Sequence, residues 1–413
     1  MYKQILYKIK RPYHLIKTGL LNGLKSEIKN GFPAKKLKII TITGTDGKTT
    51  STTLLYHVLK TANKKVALLS TVAAYLGSKA VDTGFHVTTP QPSDLQKFMK
   101  EMVEKKYEYL VLEVTSHGSY QFRDWGVKPI LSGITNIANE HLDYHGNYHE
   151  YLKAKTDILK KAPTAVLNSD DYSYQFLIKK LNSTNLVTYS KDSELPKKVQ
   201  KSIQKRFPES YNQMNAKLVY ALSKLLHIDD KDFIKAIDSF EGIPGRMQII
   251  PNKKRLNIVV DFAHTPQSIR SVLRTLKEQI AQKETKGRLI AVFGCAGQRD
   301  SGKRPVMGEI ASKIADYAIF TAEDPRDEDV WSIIRQMKEG LKENHNKIIS
   351  IAQRGEAIEF AINQLAKPGD TIAILGKGHE QSMCYFGVEY PWNDVDAINQ
   401  ILAGKHPRVK KKA

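Results

Sequence analysis

Short apolar runs alternate along the chain with longer segments whose apolar residues recur at helical spacing. In the first half, the β-branched run 39–43 leads through a glycine-rich turn into a helical pattern at 49–61. The runs 66–70 and 109–112 are equally short and apolar, and each follows a helical segment. Strands that alternate with helices in this way predict an α/β fold with a mostly parallel sheet.

The helix before the third of these strands has its own start signal. Ser93, followed three residues later by Gln96, matches the pattern of a capping box. Leu95 and Phe98 begin an apolar stripe at helical spacing, so we expect this face of the helix to pack into the core. Such a stripe indicates packing and not a functional site.

The second half repeats the alternation after a Pro-Gly stretch at 242–245, which predicts a hinge between two domains. Its apolar runs predict a C-terminal Rossmann-like, doubly wound sheet; they are 257–261, 289–294, 317–321, 348–352 and 371–375. A length of 413 residues agrees with two domains, because a single core rarely grows beyond ~300 residues. The predicted organisation begins with a short basic extension at 1–37 and a central domain at 38–244 that contains the glycine-rich turn. A C-terminal domain at 245–408 and a basic tail at 409–413 follow.

The net charge of +21 raises the question of a nucleic-acid or membrane partner. The lysines are spread along the whole chain, however, without an aromatic-basic pattern or a recognition helix. We therefore interpret the charge as solvated surface and expect no nucleic-acid partner. Two cysteines, Cys295 and Cys384, exclude a disulfide framework, and no run approaches the ~18 apolar residues of a membrane span. These features predict a cytoplasmic protein.

The glycine-rich turn has the composition of a nucleotide phosphate site. Its glycines allow backbone N–H groups to close around phosphate oxygens, its lysine supplies a positive charge, and the hydroxyl after the lysine suits Mg²⁺. Glu113, at the carboxyl end of a predicted buried strand, is a second candidate ligand for that ion. The sequence therefore predicts that ATP and Mg²⁺ are bound by one loop, which comprises Gly44, Thr45, Asp46, Gly47, Lys48, Thr49 and Thr50.

Further short motifs follow this loop in a fixed order. Together with the loop, they occupy residues 44–49, 88–90, 113–118, 135–136, 141–146, 245–247, 261–266, 294–300, 303–305, 323–326 and 376–380. Their order and content resemble the Mur ligase family, most closely its tripeptide synthetase branch. The resemblance implies an ATP-dependent amide ligase of peptidoglycan precursor synthesis. In such enzymes a substrate carboxylate becomes an acyl phosphate, from which an amino acid then displaces phosphate.

The resemblance implies Lys48, His141 and Lys155 as catalytic residues and two Mg²⁺ ions. Lys48 would neutralise the phosphates, and His141 corresponds to the ligand of a second ion. Lys155 lies where relatives carry a lysine carbamylated by CO₂; a carbamate offers anionic oxygens, whereas an ammonium would repel Mg²⁺. The alternative is an ordinary exposed helix lysine. Lys153, two residues away, would face elsewhere on a helix.

The same resemblance implies three sets of binding residues. Asn215 and Arg246 would contact the adenine and phosphates of ATP, and Asp261 the ribose, although Asp261 at a strand end also suits a helix cap. The residues implied for the polar, anionic muramoyl-peptide acceptor are Thr88, Thr89, Thr115, Gln121 and Arg123. Those implied for the incoming amino acid are Arg304, Asp324, Arg326, Gly376 and Glu380; each of the four charged residues, taken singly, also suits a surface salt bridge.

Two departures from the family pattern concern the amino acid and the metal. Enzymes that add meso-diaminopimelate typically carry Asp-Asn-Pro-Arg where this chain has Glu-Asp-Pro-Arg at 323–326. Arg326 favours meso-diaminopimelate over lysine, but Asp324 adds a negative charge, so meso-diaminopimelate and another diamino acid both stay open. Asn139 and Glu140 replace the Arg-Asp usually seen before the metal-binding histidine.

Relatives also carry an N-terminal domain that binds uridine diphosphate, and residues 1–37 are too short to form it. They instead interleave apolar residues with lysines. We expect a helix that packs on the ATP-binding domain or on a dimer partner; contact of residues 1–30 with a membrane or a lipid-linked substrate, or partial disorder, are the alternatives. Monomer and homodimer both stay open.

Two other functions stay open. One is a ligase of the same superfamily for a different carboxylate acceptor, folylpolyglutamate-synthase-like or lipid-linked; the motif 88–90 with Gln121 and Arg123 favours a muramoyl-peptide instead. The other is a nucleic-acid-binding P-loop ATPase. It would show salt-dependent DNA binding and no phosphate release stimulated by amino acids.

Overall fold

The computed structural model describes residues 10–72, 74–76, 79–81, 89–138, 142–182, 184–283, 287–341 and 345–409. The chain divides into two compact units, Met1–Glu241 and Gly242–Ala413. Each is an α/β unit with a mainly parallel sheet, as the sequence predicts.

The first described helix spans residues 10–29; its middle, Leu15–Leu24, is π-helical, and its last turn is α1, Lys25–Lys29. A 3₁₀ turn, Pro33–Lys36, follows. The described strands of the first unit are β1 (Lys38–Thr43), β2 (Val66–Leu69), β3 (Ala74–Leu76), β4 (Lys79–Val81), β5 (Tyr109–Glu113), β6 (Pro129–Ile134), β7 (Thr164–Asn168) and β8 (Asn185–Tyr189). Its further described helices are α2 (Lys48–Thr61), α3 (Pro92–Glu104), α4 (Ser116–Tyr120), α5 (Leu142–His145), α6 (Tyr148–Leu159), α7 (Tyr174–Lys180), α8 (Lys197–Arg206), α9 (Ser210–Leu225) and α10 (Asp230–Ser239).

Within the described residues, this unit has an eight-stranded sheet in the order β4-β3-β2-β5-β1-β6-β7-β8. In this order, the neighbours among β2, β5, β1, β6, β7 and β8 pair in parallel, whereas β3 and β4 are added antiparallel at the β2 edge. The central strands β1 and β5 are buried almost throughout, which explains their continuous apolar sequence. Because Ile42 lies opposite Glu113 in this parallel pair, the phosphate loop and Glu113 leave the sheet at the same edge.

Helix α3 begins earlier than its capping box predicts, so that prediction is wrong. Gln91 is the N-cap residue and Pro92 the first helical residue. The Ser93 N–H donates instead to Asn22 Oδ1 at 3.0 Å, and the Gln96 amide donates to a backbone carbonyl at 3.0 Å. With Pro92 at the first position, Ser93 is the second helical residue, and its N–H is one of the open donors of the first turn, which Asn22 satisfies.

The described strands of the second unit are β9 (Gln248–Ile250), β10 (Asn257–Asp261), β11 (Leu289–Phe293), β12 (Tyr317–Phe320), β13 (Ile348–Ser350), β14 (Thr371–Leu375), β15 (Ser382–Tyr385) and β16 (Val388–Pro391). Its described helices are α11 (Pro266–Ala281), α12 (Lys303–Ile314), α13 (Val330–Glu339), α14 (Arg354–Phe360) and α15 (Asp394–Leu402), with a 3₁₀ turn at His345–Lys347 and a π-helical turn at Ala361–Leu365.

The larger sheet of the second unit runs in the order β13-β12-β11-β14-β10-β9, and only β9 is antiparallel within the described residues. Helices cover both faces: Leu273 and Met307 belong to one buried cluster, and Ile358 and Ile398 to another. The predicted doubly wound sheet is confirmed. The hairpin of β15 and β16 forms a separate two-stranded sheet. Val409 is buried in the second cluster, and residues 410–413 lie outside the described part of the chain.

Residues 10–30 pack on the first unit through small and polar side chains. Gly19 and Gly23 are buried against Trp125, and a Cβ at Gly19 would lie 2.8 Å from that ring. Arg11 forms an ion pair with Asp157 at 2.8 Å. Packing on the ATP-binding domain is therefore observed for this segment. No helix in the described ranges is both long and apolar enough to cross a bilayer.

Candidate active site

The turn between β1 and α2 requires glycine at two positions. Gly44 and Gly47 adopt φ angles of +147° and +81°, which favour glycine. A Cβ at Gly44 would lie 1.8 Å from Thr135 Oγ1, and one at Gly47 would lie 2.3 Å from Asn215 Oδ1. Asn215, predicted to contact the nucleotide, therefore lies directly against the phosphate loop.

Thr135 and Asn136, which directly follow β6, fix the conformation of this loop. The Asp46 N–H donates to Asn136 Oδ1, and Asn136 Nδ2 donates to the Asp46 carbonyl, both at 3.0 Å. Thr135 Oγ1 donates to the same carbonyl at 2.6 Å. The sequence contains this pair as a motif without a predicted role. Its position directly after a buried strand is the signal that could have indicated one.

Helix α2 begins at Lys48, directly after the loop. Within the described part of the chain, no side chain caps its N-terminal end, and its first turn contains no acidic residue. Lys48 Nζ donates to the Thr45 carbonyl at 2.7 Å, so this side chain folds back over the loop. Thr50 lies partly exposed in the same turn. An uncapped helix N-terminus beside a lysine suits a phosphate group.

Glu113 is 1% exposed, and two threonines donate to its carboxylate. Thr49 Oγ1 donates to both oxygens, at 3.1 and 3.0 Å. Thr71 donates through its N–H at 3.0 Å and through its hydroxyl at 2.9 Å. The hydroxyl and carboxylate predicted for Mg²⁺ are therefore adjacent, and both are the hard oxygen donors that this ion prefers. The sequence contains no signal for Thr71.

Two predicted residues lie outside the described residues, namely Thr88 for the acceptor and His141 for a second Mg²⁺. In the ranges that the structure does describe, no three His, Cys, Asp or Glu side chains form a group suited to a metal ion. The groups that donate hydrogen bonds to Glu113 are hydroxyl groups and one backbone N–H.

Lys155 is 1% exposed, whereas Lys153 on the same helix is exposed. Lys155 Nζ donates to the Gly44 carbonyl and lies 4.7 Å from the centroid of the Tyr151 ring. The alternative of an ordinary exposed helix lysine is therefore wrong. The Tyr151 hydroxyl also lies 3.0 Å from Thr45 Oγ1, so α6 supplies two residues to the phosphate loop.

Four residues predicted for the acceptor lie together around α4. Thr115 is the N-cap residue of this helix, and its hydroxyl lies 3.3 Å from Thr89 Oγ1. Arg123 donates to the Thr89 carbonyl at 3.1 Å. Gln121, at the other end of α4, donates to the Tyr144 hydroxyl at 2.8 Å. Burial raises the pKa of Tyr144, so its hydroxyl stays protonated and can also donate.

Asp261 ends β10 in the second unit and is 8% exposed. Each of its oxygens accepts a backbone N–H at 2.8 Å, one of them from Met247. Burial raises the pKa of this carboxyl against the opposing charge of Arg246. The guanidinium of Arg246 lies 4.3 Å from the centroid of the Phe262 ring. Asp261 does not cap α11, because Thr265 does.

Lys377 joins two of the carboxylates predicted for the amino acid. It is 1% exposed, and its Nζ lies 2.9 Å from Asp324 Oδ1 and 2.5 Å from Glu380 Oε2. Burial alone would lower the pKa of Lys377, but these two carboxylates raise it. Gly376 directly precedes Lys377 in the chain, and a Cβ there would lie 3.3 Å from the carboxyl carbon of Glu323. The sequence places Lys377 in a motif but does not indicate this central position.

The two arginines predicted for the amino acid have opposite surroundings. Arg304 is 1% exposed, and its guanidinium donates to Glu328 at 2.7 and 3.1 Å and to Gln336 at 2.8 Å. Arg326 is partly exposed, and no partner of its guanidinium is found among the residues that the structure describes. Its N–H donates to the Cys384 carbonyl at 2.9 Å, which anchors it to β15. The guanidinium of Arg326 can therefore bind a ligand without first breaking a hydrogen bond or an ion pair to a described residue.

Comparison with known proteins identifies the family of this chain. The Mur ligase middle domain matches residues 42–226, and the domain described as Mur ligase, glutamate ligase domain, matches residues 245–378. The UDP-N-acetylmuramoyl-L-alanyl-D-glutamate--2,6-diaminopimelate ligase of Clostridium botulinum is 38% identical over 90% of this chain and 79% of its own length. The enzyme of the same name from Aquifex aeolicus is 34% identical over 91% of this chain and 79% of its own.

Solved structures extend the comparison to the fold. A UDP-N-acetylmuramoyl-L-alanyl-D-glutamate--2,6-diaminopimelate ligase matches with a TM-score of 0.58 and 27% identity, over 92% of this chain and 82% of its own. The folylpolyglutamate synthase of Mycobacterium tuberculosis matches with a TM-score of 0.68 over 90% of this chain and 96% of its own; at 16% identity, this likeness shows the fold alone. With both domain models matched and relatives above 30% identity over most of their length, the chain belongs to the Mur ligase family.

Proposed function

We propose that this chain is a cytoplasmic, ATP-dependent ligase that joins meso-diaminopimelate, or another diamino acid, to the terminal carboxylate of a UDP-muramoyl-dipeptide. The observation that carries the proposal is the grouping of Thr49, Glu113 and Lys155 around one glycine-bounded helix N-terminus. The relatives named 2,6-diaminopimelate ligases support the choice of substrates.

The reaction has two steps. An oxygen of the acceptor carboxylate attacks the γ-phosphorus of ATP, ADP leaves, and an acyl phosphate forms. The nitrogen of the amino acid then attacks the carbonyl carbon and loses a proton, inorganic phosphate leaves, and an amide bond remains. Phosphoryl transfer of this kind needs positioning and charge neutralisation more than covalent help. Lys48 supplies the charge, because its Nζ can turn from the Thr45 carbonyl towards a phosphate oxygen.

The donor set at the loop fits a Mg²⁺ ion. The Thr49 hydroxyl and the Glu113 carboxylate would hold it, while Thr71 keeps the carboxylate in place through its two hydrogen bonds. When bound, the ion neutralises charge on the phosphates. In the same proposal, His141 is the ligand of a second Mg²⁺.

Lys155 carries a carbamate in the proposed working enzyme. The neutral amine attacks the carbon of CO₂, an N–C bond forms, and a proton is released. The product is an anion whose oxygens suit a hard cation. Its remaining N–H can keep the hydrogen bond to the Gly44 carbonyl, so the loop does not have to rearrange.

The amino-acid end relies on Arg326 and on the carboxylates around Lys377. Arg326 is suited to a bidentate grip on the substrate carboxylate. Asp324 and Glu380 place two carboxyl groups around the single ammonium of Lys377, so their remaining oxygens can accept hydrogen bonds from a substrate ammonium. This arrangement supports a diamino acid. On the acceptor, Thr89, Thr115 and Arg123 would bind polar and anionic groups.

A substrate panel tests the proposal. Phosphate release is measured with UDP-muramoyl-dipeptide, its UDP-free form and a lipid-linked form, each combined with meso-diaminopimelate, lysine or ornithine. We expect release that requires both an acceptor and a diamino acid, with UDP-muramoyl-dipeptide preferred. Rejection of all three acceptors would refute the muramoyl assignment, and stimulation by a folate acceptor would replace it. Release stimulated by DNA and not by amino acids would place the chain among nucleic-acid-dependent ATPases.

A further inference from the structure

The helix at residues 10–29 has an inverted distribution of side chains. A surface helix normally turns its apolar face to the core. In the helix at residues 10–29, Gly19, Gly23 and the side chain of Asn22 face the rest of the first unit. The large side chains that face solvent are Tyr13, Leu15, Ile16, Leu20, Leu21, Leu24 and Ile28.

The close packing of the inner side explains this inversion. A Cβ at Gly23 would lie 2.5 Å from Trp125 Cγ, so leucine or isoleucine could not face the same surface. The apolar residues are left outside, where Ile16, Leu21 and Ile28 expose 55%, 64% and 58% of their surface. A contiguous exposed apolar stripe is unusual on a soluble domain and indicates an interaction surface.

The charged side chains that this helix itself exposes have one sign. Lys10, Lys17, Lys25 and Lys29 are exposed, whereas Glu27, the only acidic residue at 10–30, is 8% exposed. We call the exposed side chains of residues 10–29 the apolar-basic face.

A surface cavity of about 390 Å³ adjoins this face. Lys17 and Lys25 line it together with Leu21, Ser26 and Ser93. It combines two positive charges with hydroxyl groups next to an exposed leucine, which is a chemistry that suits a phosphate headgroup attached to an acyl chain.

We propose that the apolar-basic face binds the surface of an anionic lipid bilayer. The leucines and isoleucines enter the headgroup region, and the lysines reach the lipid phosphates through their flexible stems. A second copy of the chain fits less well, because two copies of this face would bring lysines of like charge together. The proposed binding is independent of the ligase reaction.

The test is cosedimentation of the full chain with vesicles. We expect binding to vesicles of equal parts phosphatidylcholine and phosphatidylglycerol, no binding to phosphatidylcholine alone, and loss of binding as salt is raised. The double variant Lys17→Glu/Lys25→Glu should weaken binding by about tenfold or more, since each lysine near an anionic surface contributes on the order of 1 kcal/mol. Ile16→Ser/Leu21→Ser should weaken it as well.

A matched control separates the face from net charge. Lys198→Glu/Lys201→Glu changes the charge equally at exposed positions of α8 and should keep the binding. Unchanged thermal unfolding and phosphate release would show that the variants are folded. Equal binding to neutral vesicles, or equal losses in the control, would overturn the proposal. So would a dimer in sedimentation equilibrium that Ile16→Ser/Leu21→Ser dissociates, because the face would then be a contact between two copies.

Discussion

The hydroxyl of Thr49 donates hydrogen bonds to both carboxylate oxygens of Glu113, at 3.1 and 3.0 Å. The two side chains are 64 positions apart in the sequence, and the parallel pairing of β1 with β5 brings them together. Each is a hard oxygen donor, so one ion can be shared between them.

Thr49→Val should therefore weaken the binding of Mg·ATP by about tenfold or more, a loss typical of metal sites. Thr41→Val is the matched control: it removes a buried hydroxyl that lies 2.6 Å from Ser132 Oγ in the same sheet, away from the loop. Both variants should lose stability, but only Thr49→Val should change the Mg²⁺ dependence of nucleotide binding in calorimetry. Equal nucleotide affinity in the two variants would contradict the metal assignment.

Gly47→Ala should abolish ATP binding. The new Cβ would lie 2.3 Å from Asn215 Oδ1, in addition to the strain of a positive φ. Gly31→Ala isolates the strain alone, because Gly31 has a φ of +72° and a Cβ there meets nothing within 4 Å. We expect Gly31→Ala to cost about 1 kcal/mol of unfolding free energy and to keep full nucleotide affinity. Wild-type affinity in Gly47→Ala would contradict the need for glycine at the loop.

Lys155→Ala should abolish ligation, whereas Lys153→Ala, at an exposed position on the same helix, should not. The carbamate has a readout besides activity: ¹³C NMR with labelled bicarbonate should show a carbamate resonance in the wild type and in Lys153→Ala. The resonance should be missing in Lys155→Ala. A fully active Lys155→Ala enzyme would refute the role of this lysine.

Arg326→Ala should raise the KM of the amino acid by about 10- to 100-fold, the loss expected for hydrogen bonds to a charged group. The KM of ATP should stay nearly unchanged. Arg335→Ala removes an exposed guanidinium from the same unit and serves as the control. An equal rise in both KM values would show that Arg326 does not contact the amino acid.

Glu328→Gln should reduce stability in a pH-dependent way. The hydrogen bonds from Arg304 hold the pKa of Glu328 below its ordinary value of 4.5. The contribution to stability is therefore fully present above pH 4.5 and is lost as the pH falls through the lower folded pKa. At pH 7, we expect the variant to lose about 1.5 kcal/mol of unfolding free energy, because Arg304 loses a charged hydrogen-bond partner that is itself 32% exposed.

Urea unfolding at several pH values checks this prediction. The difference between wild type and Glu328→Gln should shrink as the solution becomes more acidic. Glu356→Gln, which removes an exposed ion pair with Arg408, should cost less than about 1 kcal/mol at any of these pH values. A gap between wild type and Glu328→Gln that widens in acid would mean that the ion pair does not stabilise the fold.

Local patterns were sufficient for eight of the described strands and for the phosphate loop. The apolar strands around residues 42 and 113 and the glycines of the turn are read from neighbouring residues, because backbone preferences and side-chain periodicity act over a few positions. The predicted strands of both units are observed to within two residues, since a buried parallel strand requires a continuous apolar run.

The partners of charged side chains were decided only by the tertiary structure. Arg304 and Arg326 look alike in sequence, yet one is enclosed by Glu328 while the other has no partner among the described residues. Ser93 has the pattern of a cap but bonds to Asn22, 71 positions away. Such contacts depend on which surfaces meet in the folded chain, and no local pattern encodes that.

The sequence by itself determined the α/β class, the order of the motifs along the chain and the resemblance to a family of ATP-dependent ligases. The structure decided which of these residues meet: Lys155 reaches Gly44 across 111 positions, and Lys377 joins two carboxylates predicted separately. It also decided that the apolar residues of the first helix face outward. The physical reason is packing, because glycines let the helix approach Trp125 so closely that no large side chain fits between them.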